Sequence, residues 1–141
     1  MRILKIFFAA FLLMSPGWLA AGDHYDEAAA LLQPRIPVME RYLHVAETSN
    51  DPDAIADAMN KLADAMDAVA PKIQRLSRQH PGIEAEEAIP PRYNALKKRL
   101  QSLMQRFVAS YPRILPFLIY PQVFQANQRI IANLTSIGAE W

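Results

Sequence analysis

The sequence has no cysteine among its 141 residues. This absence excludes structural disulfides, thiolate metal sites, thiol-attached c-type haem and a lipoprotein anchor on cysteine. Glycine is scarce as well, and its four residues form neither a glycine-rich phosphate loop nor a Gly-x-Ser-x-Gly elbow. A domain of this size without disulfides must be stabilised by its hydrophobic core alone, which a well-packed helical bundle can provide.

The first residues have the three regions of a secretory signal peptide. Arg2 and Lys5 supply positive charge, residues 6–14 are apolar, and Pro16-Gly17 breaks the helix before Ala20-Ala21-Gly22. The apolar run is too short to span a bilayer, so we expect no stable membrane anchor. The pattern predicts a signal peptide over 1–21, cleavage after Ala21 or Gly22, and a single helical domain over 22–141 in the periplasm or outside the cell.

Charge and catalytic residue types argue against two broad classes of function. Without Arg2 and Lys5, 13 basic residues stand against 14 acidic ones, so no net basic surface remains to suggest nucleic acid. The chain has three histidines, and none of them occurs in a pattern that identifies a nucleophile or a catalytic triad. We therefore expect a protein that is not an enzyme and does not bind nucleic acid.

A heptad pattern in the middle of the chain is the strongest structural signal. Large apolar residues recur there at alternating intervals of four and three, which predicts a helix that buries one narrow seam. These residues are Ile55, Met59, Leu62, Met66, Val69, Ile73 and Leu76. Alanines flank the seam on both sides, so neighbouring helix axes can approach closely. We interpret this stretch as the central helix of a bundle, with Asp51 as its N-cap.

Three further helices are predicted around it. The first mature helix runs to about Glu47, either kinked or divided into two short helices near Pro34. The third begins near Pro91 and ends at Pro112, and the last covers about 122–136. No strand pattern is present. The fold class is thus all-α, an antiparallel four-helix bundle with proline-kinked helices.

Metal or haem binding in the bundle is the alternative function. The architecture resembles that of small exported four-helix cytochromes, but these attach haem through thiols or use a Met/His pair with the histidine on the last helix. Here the last histidine is His80, at the end of the second helix, so haem is not expected. The methionines on helices fit core packing better than copper binding. They are Met39, Met59, Met66 and Met104.

Two short sets of possible metal ligands complete this alternative. Glu40, His44 and Glu47 share a flank of the first helix, but their spacing is not Glu-x-x-His, and we interpret them as a solvated face with a local ion pair. Cleavage after Ala21 would leave an N-terminal Gly22-Asp23-His24, whose nitrogens could bind Cu(II) or Ni(II). We favour the simpler interpretation that His24 begins a helix, and no cofactor is predicted.

One stretch of the chain contains more large apolar residues than a connection in a bundle needs. The residues from Pro112 to Pro121 are nearly all large and apolar, and three prolines interrupt any regular helix. A connection has a solvent side, so about half of these side chains should stay exposed as an apolar patch of the kind that marks binding. We therefore predict a non-catalytic protein that binds a protein partner or an apolar ligand. The candidate binding residues are Leu115, Phe117, Leu118, Tyr120 and Phe124.

Overall fold

A computed structural model of the chain describes residues 21–79 and 91–138, and within them the fold is all-helical, with no strand. Four helical units are present there, and the first unit is divided in two. The α-helices are α1 (Ala21–Leu32), α2 (Ile36–Thr48), α3 (Pro52–Gln79), α4 (Asn94–Ile114) and α5 (Pro121–Gly138). Three short 3-10 segments join or precede them: Gln33–Arg35, Pro91–Tyr93 and Leu115–Ile119.

The first unit is two short helices that meet at a proline, as the sequence predicts. A 3-10 turn containing Pro34 separates α1 from α2, because the proline supplies no hydrogen-bond donor to continue the α-helix. Pro37 falls in the first turn of α2, where the missing donor costs nothing. Both prolines are exposed, so the break leaves the apolar face of the unit intact.

Helix α3 begins and continues as its sequence predicts. The Asp51 carboxylate accepts a hydrogen bond from the backbone N–H of Asp53 at 3.0 Å, which satisfies one of the free donors at the helix start. Pro52 is the first helical residue, and the helix continues past Pro71, which is exposed. A proline on the outer side bends a helix around its core without ending it.

The predicted seam of α3 is buried. Ile55, Met59, Leu62, Val69 and Leu76 are buried, and the two remaining seam residues are half-buried. The flanking alanines are inside as well, so α3 buries a surface wider than the seam. The buried alanines are Ala56, Ala58, Ala63 and Ala70.

The predicted end of the third helix is wrong. Helix α4 continues through Pro112 to Ile114, two residues further than expected. Pro112 and Val108, the residue four positions before it, are both exposed. The carbonyl that loses its helical donor therefore lies on the solvent side, where water can replace the missing bond.

The core divides into a main cluster and a smaller one. Helix α3 packs against α2 and, most extensively, against α5, while α4 packs against α2. Helices α4 and α5 meet mainly through the 3-10 segment Leu115–Ile119 that connects them. The smaller cluster joins the second half of α1 to the second half of α3 and to α4, and it contains Ala28, Leu32, Val69, Leu76 and Leu100.

Ion pairs between helices reveal the direction in which neighbouring helices run. On α2 and α4, Glu40 pairs with Arg99, and Glu47 pairs with Arg106 at 2.9 Å. Both partners advance by seven residues, so α2 and α4 are parallel neighbours. On α3 and α5, Asp53 accepts a hydrogen bond from Gln122. Further along, Arg129 of α5 contacts α3 at Asn60, Asp64 and Asp67.

Helices α3 and α5 are therefore also parallel neighbours. In an up-down bundle the first and third units run in the same direction, as do the second and fourth, and here each of these parallel pairs is in contact. Charge favours these contacts, because residues 88–139 contain seven Lys and Arg residues and no Asp or Glu. The basic α4 and α5 each lie beside a helix of the acidic first half, where opposite charges can pair.

The first prediction concerns the core seam. Leu62→Ala should lower the free energy of unfolding by about 2–4 kcal/mol, because it removes a buried aliphatic group and leaves a cavity. Asp64→Ala, two residues away on the exposed side, should cost less than about 1 kcal/mol, since its pair with Arg129 is solvated. Urea unfolding followed by circular dichroism measures both, and equal effects would contradict the buried seam.

The second prediction concerns the ion pair between α2 and α4. The hydrogen bond from Arg106 lowers the pKa of Glu47 below its ordinary value of 4.5. The stabilisation is thus present above that value and is lost as the pH falls through the lowered pKa. Between about pH 5 and pH 3, the wild type should lose more unfolding free energy than Glu47→Gln, by less than about 1 kcal/mol.

The reciprocal variant provides the control for this pH effect. Arg106→Gln removes the donor that holds the pKa of Glu47 down, so it should lose acid sensitivity to the same extent as Glu47→Gln. Urea titrations at a series of pH values provide the comparison. Wild-type acid sensitivity in both variants would mean that this pair does not contribute to the pH dependence.

Candidate functional site

The exposed side chains between Val108 and Phe124 form the most apolar surface that the described residues present. Ten side chains are exposed in this stretch, and nine of them are apolar, with Arg113 as the tenth. We call these nine the apolar surface: Val108, Ala109, Pro112, Leu115, Pro116, Ile119, Tyr120, Pro121 and Phe124. By contrast, most exposed residues of α3 are charged, so the apolar surface is a local feature.

The 3-10 segment divides its side chains between the core and the apolar surface. Ile114, which precedes it, is fully buried, whereas Leu115 is 49% exposed and Ile119 is 80% exposed. Phe117 and Leu118 are half-buried and pack against the main core cluster. The segment thus attaches to the bundle through one side and presents the other side to solvent.

The five predicted binding residues do not all lie on the surface. Leu115, Tyr120 and Phe124 are exposed, at 49%, 40% and 48%. Phe117 and Leu118 contribute mainly to packing, because their side chains face the core. Three of the six large apolar side chains from Ile114 to Tyr120 are exposed, which agrees with the expectation of about half, and Phe117 and Leu118 are not among the three.

Sequence reasoning missed Ile119, the most exposed large apolar side chain of the described residues, and Val108. A signal for both was available. Val108, Pro112, Leu115 and Ile119 follow one another at intervals of four, three and four, the same spacing as the core seam. The first two of these residues lie on α4, away from the buried face that Leu100, Leu103 and Phe107 occupy, and the last two lie on the 3-10 segment.

Backbone N–H groups of the apolar surface are either paired or absent at the positions described next. The N–H of Tyr120 donates to the Phe117 carbonyl at 3.0 Å, and the N–H of Phe124 donates to the Tyr120 carbonyl at 3.0 Å. The prolines at 112, 116 and 121 have no N–H to satisfy. Another apolar surface can therefore cover this region without leaving backbone donors unpaired.

Arg113 is the only charged residue exposed between Val108 and Phe124, and it is directed towards α2. Its Nε–H donates to the carbonyl of Ala46 at 3.2 Å, near the C-terminal end of α2. A cation is favourable there because the helix dipole is negative at that end. The guanidinium is thereby held beside α2, and the apolar surface carries no charge of its own.

A buried aromatic group supports the same end of the bundle. The rings of Tyr42 and Phe107 lie 5.5 Å apart across the contact between α2 and α4. Burial raises the pKa of the Tyr42 phenol, and the neighbouring Tyr111 raises it further. Tyr42 therefore stays neutral at physiological pH and acts as a packing residue of the parallel α2–α4 pair.

The residues considered for metal or haem binding have structural contacts. Glu40 and Glu47 pair with arginines of α4, between helices and not locally as predicted, while His44 is exposed. Met39, Met59 and Met104 are buried in the main cluster, and Met66 packs against it. No group of three His, Asp or Glu side chains within the described residues is arranged to hold a metal ion.

Several predictions from the sequence fall outside the described residues. The predicted signal peptide is one of them, because the description starts at its last residue. The side chains of Gly22, Asp23 and His24 are not among those described, and neither is His80.

Within 21–79 and 91–138, no helix combines the length and the hydropathy that crossing a bilayer requires.

A groove between α2 and α3 is a second candidate binding feature. It has a volume of about 370 Å³ and is lined by Pro37, Val38, Arg41, Tyr42, Ala58, Lys61 and Asp64. Two of its charged groups are already engaged, because Lys61 pairs with Asp57 and Asp64 pairs with Arg129. The groove is therefore a weaker candidate for binding than the apolar surface.

Comparisons with known proteins do not extend this description. No model of a protein family matches the chain, and no curated protein or solved structure is significantly similar to it. The functional argument therefore rests on the residues of the apolar surface themselves.

The third prediction tests the two sides of the connecting segment with one kind of substitution. Ile114→Ala should lower the free energy of unfolding by about 2–5 kcal/mol, because Ile114 is fully buried. Ile119→Ala should change it by no more than about 0.5 kcal/mol, since Ile119 is 80% exposed. Chemical unfolding of both variants provides the measurement. A large loss of unfolding free energy in Ile119→Ala would place this residue in the core.

Proposed function

We propose that this protein is an exported, non-catalytic helical bundle that binds a protein partner or an apolar ligand through the apolar surface. The single observation that carries this proposal is that nine of the ten side chains exposed between Val108 and Phe124 are apolar. Apolar patches of this kind on folded proteins mark contact sites, since leaving them in water is unfavourable. The proposed function is therefore that another molecule binds to this surface and covers it.

The stability of the bundle does not explain these side chains. Leu115, Ile119, Tyr120 and Phe124 each leave a large fraction of their area in water, so they contribute little to burial within the chain. A connection between α4 and α5 could have used polar residues at these positions without loss of packing. Their presence supports a role in contact with another molecule.

The segment that bears the surface is anchored for such a role. Phe117 and Leu118 pack against the main cluster, and the Phe117 and Tyr120 rings stack with centroids 6.4 Å apart. Proline at three positions restricts the backbone further. A surface that is already ordered loses less conformational entropy on binding, which favours affinity.

Export is the second part of the proposal, and it rests on the first residues of the sequence. The basic start, the short apolar run and the small residues at Ala20-Ala21-Gly22 favour removal of a signal peptide and a periplasmic or secreted location. The non-catalytic part is supported by the charged side chains that pair between α2 and α4 and between α3 and α5, because these pairs hold neighbouring helices together.

The fourth prediction tests binding directly. A photoreactive phenylalanine analogue in place of Tyr120 should cross-link the natural partner in the compartment where the protein accumulates. The double variant Leu115→Ser, Tyr120→Ser should lose that partner or any co-purified apolar ligand, because it removes two of the most exposed apolar groups. Mass spectrometry of cross-linked and co-purified species provides the measurement.

Two matched controls accompany this experiment. The same analogue at Ser102, an exposed position earlier on α4, should give no specific cross-link, and the double variant Ala68→Ser, Ala95→Ser should retain binding. Circular dichroism should be unchanged in both serine variants. Retention of the partner after loss of Leu115 and Tyr120 would contradict the proposed surface.

A further inference from the structure

We infer that the molecule that covers the apolar surface is a second copy of this chain, so that the protein is a symmetric dimer. This inference rests on the proposed function and deepens it by naming the partner. Two-fold dimers are the commonest assemblies of soluble proteins, and they bring the same surface of both copies together. The apolar surface has three properties that suit this arrangement.

The first property is the absence of charge. The nine residues carry no charge at physiological pH, and Arg113, the one charged residue exposed in this stretch, donates a hydrogen bond to the carbonyl of Ala46 of α2. An acidic partner would find this single cation to recognise, whereas an identical neutral surface meets the nine residues without burying an unpaired charge on them.

The same electrostatics disfavour a lipid surface. Stable attachment of a peripheral protein to an anionic bilayer takes basic residues beside the apolar ones. Here the N-terminal end of α3 lies close to the start of α5, as the bond between Asp53 and Gln122 shows, and it adds Asp51 and Asp53 to this end of the bundle. Those carboxylates would repel the negative headgroups of such a bilayer.

The second property is the available area. The exposed fractions of Val108, Leu115, Ile119, Tyr120 and Phe124 correspond to about 500 Å² of apolar surface, at ~200 Å² for a large side chain. Two copies would bury about 1,000 Å² through these residues alone, which is the lower range for a specific interface. The prolines and Ala109 add to this area, so the surface is large enough for a dimer.

The third property is that the chain itself leaves this surface uncovered. Val108 and Pro112 are exposed on α4, and Leu115 and Ile119 are exposed on the 3-10 segment that follows it. Helix α4 packs on α2 and meets α5 mainly through this segment, so these side chains are not covered within the chain. A two-fold axis beside them would bring each side chain close to the same surface of the second copy.

The fifth prediction is a test of oligomeric state. The purified mature protein should sediment as a dimer in a micromolar concentration series. Ile119→Glu should raise the dimer dissociation constant at least tenfold, because it places a charge in the apolar interface of each copy. Ala95→Glu adds the same charge at an exposed position of α4 outside the apolar surface and should remain dimeric.

A cross-link keeps the test decisive if Ile119→Glu does not fold. The photoreactive analogue at Tyr120 in the purified protein should give a covalent dimer, and the analogue at Ser102 should not. A wild-type protein that is monomeric throughout the series would overturn the inference, as would a dimer that Ile119→Glu leaves intact. Cross-linking of a monomer to a different protein would contradict only the inference that the partner is a second copy. The proposed binding function would be unaffected.

Discussion

The fold depends on the close packing of α3 against its neighbours. Its buried alanines have almost no side chain to hold other helices away, so α2 and α5 can both pack along the seam from Ile55 to Met66, and α1 packs near Val69 and Leu76. Van der Waals contacts and loss of apolar area then stabilise the bundle without disulfides. Neither the break at Pro34 nor the proline inside α3 disturbs this packing, because both prolines lie on the outer side.

The distribution of charge selects which helices pack as neighbours. Isolated exposed ion pairs contribute little to stability, but like charges brought together are unfavourable, so the distribution of charge can select one arrangement among several of similar burial. The basic second half of the chain finds its counter-charges on α2 and α3, through Arg99, Arg106 and Arg129. The result is two parallel helix pairs that share the central contact between α2 and α3.

This arrangement also explains where the apolar surface lies. Helices α4 and α5 direct their charged arginines towards the first half of the chain, and Arg113 is held at the end of α2. From Val108 to Phe124, the exposed side is left without charge apart from Arg113. Structure and proposed function are thus related, because the residues that position the helices are separate from those that remain available for contact with another molecule.

The sequence alone determined the helical fold class, the seam of α3, its cap at Asp51 and the break near Pro34, because each depends on local spacing or local backbone chemistry. It also located the apolar stretch, since an excess of apolar residues is visible in one dimension. Only the tertiary structure decided that α4 continues past Pro112, that parallel helices are neighbours, and that Ile119 is exposed while Phe117 and Leu118 pack inside. These outcomes depend on which helix faces which, and that follows from packing and charge between residues far apart in the chain.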